Sequence, residues 1–187
     1  MIYKRSKKTI VEIANRRLLG ELITERLFFI ENLQRHDFKQ LWENCFNSKE
    51  NLNFIKSAVS PDQLPPQEES DLDSLTMNMG PEDKLWLLKS IDENKIVGFA
   101  HHGDMAKEEP NSIGLVIGKK YSKQKLGEEA LNMVCEDVRM RGFNETYGYC
   151  YNDNFKSISL MEKCGFKKEQ DYIKDGVGYS KYKKVLT

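Results

Sequence analysis

Long apolar runs are missing from this sequence. The longest uninterrupted ones, Leu27–Ile30 and Leu85–Leu88, have four residues, against the ~20 that a membrane-spanning helix requires. Membrane insertion is therefore not expected. The four cysteines (Cys45, Cys135, Cys150, Cys164) are widely spaced and include no C-x-x-C pair. That pattern speaks for reduced core thiols in a cytoplasmic protein rather than for disulfides or zinc. Histidine is scarce, and beyond the adjacent pair His101-His102 there is only His36, so no metal is expected. Net charge is zero, with 29 basic against 29 acidic side chains, which excludes the wholesale phosphate attraction of a general nucleic-acid binder. The basic start, Met1 to Lys8, is not followed by an apolar stretch of signal-peptide length. What the chain does have is length: 187 residues suffice for one domain that buries roughly 70% of its unfolded surface without a disulfide or metal.

The zero charge is an average of unequal parts. Residues 1–20 hold six basic groups (Lys4, Arg5, Lys7, Lys8, Arg16, Arg17) and one acid, Glu12, a balance of +5 that leaves −5 for the rest. Ile10, Ile13, Arg17 and Leu18 fall at helical spacing up to Gly20, so a short amphipathic helix is expected there. We read it as a solvated basic extension, with the domain proper spanning 21–187.

Along that domain, Leu27–Ile30 reads as a first strand, and Phe38, Leu41, Trp42, Cys45 and Phe46 recur at the spacing of a helix over 35–47. Residues 48–66 are irregular and end in Pro-rich sequence, and a weakly periodic helix is expected over 67–79, before Gly80-Pro81. Lys84–Ser90 and Lys95–His101 then form a hairpin around Asp92-Glu-Asn94, and 103–111 is a polar loop. Ile113–Ile117 reads as a strand buried on both faces. A helix follows over 126–141 with Ala130, Leu131, Val134 and Val138 inward, then a strand over Thr146–Tyr151. A short helix containing Ile158 and Met161 stops at Cys164-Gly165, and strands close the chain near Phe166–Ile173 and Tyr179–Val185. Strands and helices interleave without a repeat, which makes one α/β (α+β) domain.

Three stretches can carry chemistry. At 113–131 a strand runs through a polar loop into a helix that starts near Leu126-Gly127. Unpaired N–H groups and the positive end of a helix dipole meet there, as a phosphate requires, and Lys119, Lys120, Lys123 and Lys125 add charge. An ordinary helix start with a solvated lysine face has the same pattern. One glycine in the loop is too few for a Walker or dinucleotide fingerprint. In the second stretch, 151–166, Asn154 and Ser157 suit either a helix cap or a site. The third is His101-His102 at a strand end, where neighbouring side chains point one in and one out.

In this order the stretches resemble the GNAT superfamily of acyl-CoA N-acyltransferases, and within it the ribosomal-protein N-terminal acetyltransferase branch. Thr24-Glu-Arg-Leu27 matches that branch's first-strand signature and Ile96-Val-Gly-Phe99 its third strand. Gly118-Lys-Lys-Tyr121 through Glu129-Ala-Leu131 stands where the pyrophosphate loop and its helix stand. Asn154-Phe-Lys-Ser157 with Leu160 to Phe166 matches the C-terminal motif. The resemblance covers about 21–185. It implies a mixed, mostly antiparallel sheet flanked by helices, with a splayed strand pair forming a slot for acetyl-CoA as co-substrate. Leu115, Val116 and Ile117 would offer backbone groups to pantetheine, and Ser122, Lys123, Gln124, Lys125, Leu126, Gly127 and Glu128 would cradle pyrophosphate. Asn154 would bond the cofactor arm, and Ser157 would face the departing sulfur. The implied acceptor is an amine, on a protein N-terminus or a small molecule, attacking directly in a ternary complex of a monomer or homodimer.

Three positions depart from the pattern. Lys125 replaces the loop's first glycine, Ser112 the usual glutamate before the fourth strand, and Met161 the tyrosine many relatives use as acid. The base would then be His101, His102, Glu108 or Glu109, with His101 the foremost. The same departures leave open a catalytically weak relative that keeps the fold as an acyl-CoA-binding or interaction module.

Overall fold

The first apolar run, Leu27–Ile30, forms strand β1 in the computed structural model, which describes residues 22–31, 34–47, 79–103, 111–174 and 176–187. The helix expected before Gly20, the irregular 48–66, nearly all of 67–79, and Glu108 and Glu109 in the polar loop lie outside the described residues. Helix α1, Arg35–Leu41, begins where Asp37 accepts the Gln34 N–H at 3.0 Å, satisfying one of the donors a helix start leaves over. It runs on into a π-helical turn, Trp42–Phe46. Strands β2 (Lys84–Ser90) and β3 (Ile96–His102) make the expected hairpin, with Asn94 left-handed (φ 55°) in its turn. Then follow β4 (Ile113–Ile117), helix α2 (Leu126–Met140), β5 (Glu145–Tyr151), helix α3 (Phe155–Lys163), β6 (Lys167–Lys174) and β7 (Val177–Val185). Each element lies within two residues of its sequence-based bounds.

The strands divide into two antiparallel sheets, β1-β2-β3-β4 and β5-β7-β6. Leu27, Phe29, Trp86, Leu88, Val97 and Ala100 bury one face of the first sheet against Ala130, Leu131, Val134 and Val138 of α2, with Met161 and Phe166 completing this core. The opposite face, Leu85, Leu87, Ile96, Phe99 and Val116, is covered by Phe38, Leu41, Cys45 and Phe46. Each Val, Leu, Ile, Phe or Met among them contributes about 1.5–3 kcal/mol on burial. A bulge makes the two-sided arrangement possible: Leu88 pairs with Gly98 but Lys89 with Ile96, so Val97 is the extra residue. It turns to the α2 face while Ile96 and Phe99 keep to the α1 face.

Strand β4 is not buried on both faces: Ile113 and Val116 are buried, but Leu115 and Ile117 are only half-buried. The cause is that β4 has a neighbour along only one edge for most of its length.

Candidate functional site: a slot between two diverging strands

Strands β4 and β5 run side by side in parallel and touch only at their beginnings. Ser112 bridges Tyr147, the Asn111 carbonyl accepts the Tyr147 N–H at 3.1 Å, and the Thr146 hydroxyl donates to the same carbonyl at 2.6 Å. Beyond that point the sheets part, and among the described residues no ladder joins them. Register then decides which backbone groups face the gap. Gly118 donates to the Val97 carbonyl and Gly103 to that of Ser112, and Val116 stands opposite Phe99. The even-numbered residues of β4 therefore bond to β3, and Leu115 and Ile117 turn their N–H and C=O the other way, into the gap. The three residues expected at pantetheine are thus divided: Val116 spends its peptide groups on Phe99, whereas Leu115 and Ile117 present theirs. Across the gap the same alternation, fixed by Asn152 donating to Gly178 and Leu186 to Asn144, directs Tyr149 and Tyr151 toward β4. The backbone groups of Tyr149 were not among the sequence candidates.

The slot opens toward the start of α2. A short 3-10 turn, Lys119–Tyr121, anchored by the buried Tyr121 ring, leads into Ser122–Lys125. Lys125 occupies the N-cap with φ 60° and ψ 11°, the left-handed region that crowds any Cβ. The glycine of the family pattern would sit there without strain; lysine does not. Glu129 is the first residue whose N–H returns into the helix, to the Lys125 carbonyl. Among the described residues no backbone carbonyl accepts from the N–H groups of Lys125, Leu126, Gly127 and Glu128. These are the four donors a helix start leaves unpaired, at the positive end of the dipole. Lys123 and Lys125 extend from the loop into solvent. Leu126 and Gly127 serve packing instead. Leu126 is buried, and a Cβ on Gly127 would lie 3.3 Å from Leu160, so glycine lets α3 close against α2. Glu128 pairs with Lys163 at 2.6 Å, which holds its carboxyl below the usual range. The loop is fastened from outside by residues to which the sequence assigned no role. Arg26 donates to the Gln124 carbonyl and, at 2.5 Å, to Glu129, whose other oxygen accepts the Thr24 hydroxyl at 2.8 Å.

Helix α3 supplies the far wall. Asn154 is its N-cap, with Oδ1 accepting the Ser157 N–H at 3.2 Å, so the capping reading of this pair is correct. Ser157 is half-buried in the first turn. Met161 is buried with its sulfur against Gly148 of β5, where an added Cβ would come within 2.7 Å. That position is core.

The groups that could move a proton lie at the closed end of the slot. His102 is fully buried. Its Nδ1 accepts from Arg141 at 3.1 Å, and its ring meets Phe143 edge-on. Burial pushes its pKa down to about 4, with Arg141 adding to the shift and Asp83 opposing it. His101 points to the other face, half-buried, and its ring lies over Gly114, where a Cβ would sit 1.8 Å from Nε2. Burial and then His102 lower it to about 4, against Asp83. Both rings are therefore neutral near pH 7. His101 is on the α1 face of the first sheet, and His102 on the face that α2 covers. Ser112 donates its hydroxyl to the Gly103 carbonyl at 2.6 Å and is buried. All four cysteines are buried and unpaired, and burial raises Cys45 to about 12 and Cys135 and Cys150 to about 11. Thiolate nucleophiles are thus suppressed.

A family model described as an acetyltransferase (GNAT) domain matches residues 27–167. Among the solved structures that share this fold are three acetyltransferases. One is the microcin C7 self-immunity acetyltransferase MccE in complex with acetyl-CoA and AMP (22% identity, 87% of this chain and 94% of that one, TM-score 0.67). The second is RimL, the ribosomal L7/L12 alpha-N-protein acetyltransferase in complex with coenzyme A (12%, 88% and 96%, 0.69). The third is the spermidine N-acetyltransferase of Vibrio cholerae with CoA and spermine (12%, 87% and 97%, 0.69). No curated protein sequence matches the chain.

Proposed function

The chain belongs to the GNAT acetyltransferase family, and we propose that it moves the acetyl group of acetyl-CoA to an amine by direct attack in a ternary complex. The observation that carries this reading is the slot. Two strands part after a single bridge and turn the backbone groups of Leu115, Ile117 and Tyr149 toward each other, and at its mouth stand the N–H groups of Lys125–Glu128, from which no backbone carbonyl accepts among the described residues. A pantetheine arm carries two amides that need such partners, and a pyrophosphate needs such a nest. Acetyl-CoA supplies a thioester whose carbonyl carbon the amine nitrogen attacks as the sulfur leaves. The chain's part is to bind and orient it, and a free N–H of β4 polarises the thioester carbonyl. Asn154, whose Oδ1 caps α3, would also bond the cofactor arm. Ser157 hydrogen-bonds the departing sulfur through its hydroxyl, and neutral His101 accepts the proton the amine must lose, which passes through water to the thiolate. The acceptor is a protein N-terminus or a small amine; RimL and the spermidine enzyme represent the two kinds.

A second reading has its own support. The positions relatives use for acid and base are occupied here by Met161, packed on Gly148, and Ser112, bonded to Gly103. Those contacts suit a module that binds acyl-CoA and turns it over slowly. Calorimetric titration with acetyl-CoA, followed by thiol release over a panel of amines, separates the two. Micromolar binding with amine-dependent release of CoA is expected. Binding without release above hydrolysis would favour the module, and no binding at millimolar concentration would remove both.

A further inference from the structure

The left-handed Lys125 poses a question that its own helix does not answer. The N-cap position usually carries a side chain that bonds back to the first turn, and Lys125 makes no such bond. Something else holds an L residue in a conformation its Cβ resists. The residues before β1 are placed to do so. Ile23 bridges Phe28, and the Thr24 hydroxyl accepts the N–H groups of Arg26 (3.2 Å) and Leu27 (2.9 Å), which closes a tight turn with Arg26 at its tip. From that tip the guanidinium reaches in two directions. Nη1 donates to the Gln124 carbonyl, the peptide unit directly before Lys125. Nε and Nη2 both meet Glu129 Oε1 at 2.5 Å, while Thr24 Oγ1 donates to Oε2 at 2.8 Å. Glu129 is the residue whose N–H makes the first bond of α2, to the Lys125 carbonyl. The peptide on one side of Lys125 and the first helical bond on its other side are thus tied to one rigid turn. Arg26 and Glu129 are 30% and 23% exposed, so the pair is partly withdrawn from water and better fixed than a surface ion pair.

We propose that Arg26 is a positioning residue: with Thr24 and Glu129 it clamps the loop around Lys125, so that the N–H groups of Lys125–Glu128 stay aimed at a phosphate although lysine stands where the family's loop has its first glycine. This rests on the reading of the loop as the coenzyme A phosphate cradle. Nε, Nη1 and Nη2 are all engaged with protein atoms, so the guanidinium acts through the loop rather than on the ligand. A fork that meets a carbonyl and a carboxylate together is a geometry arginine has and lysine lacks.

Calorimetric titration with CoA tests the clamp in four proteins: the parent, Arg26→Gln, Lys125→Gly and the double variant. In the parent background, Arg26→Gln is expected to weaken CoA binding by about tenfold, the size of the left-handed penalty it no longer offsets. In the Lys125→Gly background, where the conformation is unstrained, the same change is expected to cost less than about threefold. Equal losses in both backgrounds would overturn the clamp, because Arg26 would then act on the ligand or on the whole fold. So would an unchanged affinity in Arg26→Gln. If Arg26→Gln does not fold, Arg26→Lys replaces it, with a loss of about threefold that again shrinks in the Lys125→Gly background. A parent that binds no CoA would remove the cradle reading itself and the clamp with it, whereas a parent that binds and variants without coupling remove the clamp alone.

Discussion

Acidification should loosen this fold through His102 in a measurable amount. The ring is fully buried, receives a hydrogen bond from Arg141 at 3.1 Å, and has its pKa lowered by burial from 6.5 to about 4. The sign follows from where protons bind first. As pH falls below 6.5 the unfolded chain takes up a proton that the folded chain refuses. The stabilisation is therefore complete above about pH 7 and is lost progressively toward pH 4. For one such group the linkage relation puts the loss at about 2 kcal/mol between pH 7.5 and pH 5. In a domain of this size that is about 4–8 °C in Tm. His101, lowered to about 4 by burial and by His102, titrates together with it as a coupled pair. Urea unfolding followed by the fluorescence of the buried Trp86 gives the comparison, with His102→Asn as the variant whose Oδ1 can still accept from Arg141. The variant is expected to be less stable at pH 7.5, and the gap to the parent to shrink by about 2 kcal/mol by pH 5. A gap that stays constant over this range would mean that His102 is not held neutral. The same protonation logic would then fail for His101, and with it the proton acceptor assigned above.

Other outcomes are as specific. Ser157→Ala, which removes one hydrogen bond to the departing sulfur, is expected to lower the rate of thiol release by about tenfold with little change in CoA affinity; equal rates would take Ser157 out of the reaction. Restoring the family's tyrosine with Met161→Tyr should destabilise the domain by about 1–3 kcal/mol in thermal or urea unfolding, because the larger ring meets Gly148 in a filled core. An unaltered midpoint would show that the site can open, and a tyrosine acid there would become possible. Asn154→Ala removes a cap and should cost about 1 kcal/mol of stability, in addition to weakening CoA. Loss of affinity without loss of stability would mean that the cap contributes nothing.

Much of the fold was legible because its signals are local. The four-residue apolar runs, the three- and four-residue recurrence in α2 and the Asp92–Asn94 turn all appear as read, since each depends on neighbours within a few positions. The bulge at Val97 was not legible: an apolar run of β3 looks the same whether or not one residue is extra, and only pairing with β2 reveals it. The half-burial of Leu115 and Ile117 was missed for a related reason, because continuous apolar sequence cannot say that one edge of the strand is left open. At the site, the loop and the Asn154 cap were readable from helix-start chemistry. The division of labour among Leu115, Val116 and Ile117 was not, because it depends on the phase of the β3–β4 ladder. Arg26 and Thr24 bond to Glu129 across more than a hundred residues, and no spacing in the sequence announces such a contact.

Amide hydrogen exchange with and without CoA tests the central claim most directly, because it reads the slot residue by residue. The account predicts that the N–H groups of Leu115, Ile117 and Lys125 to Glu128 exchange quickly in the free protein and become protected on binding, while that of Val116, already bonded to Phe99, is slow throughout. Protection confined to other elements, or Leu115 and Ile117 unchanged at saturating CoA, would contradict it.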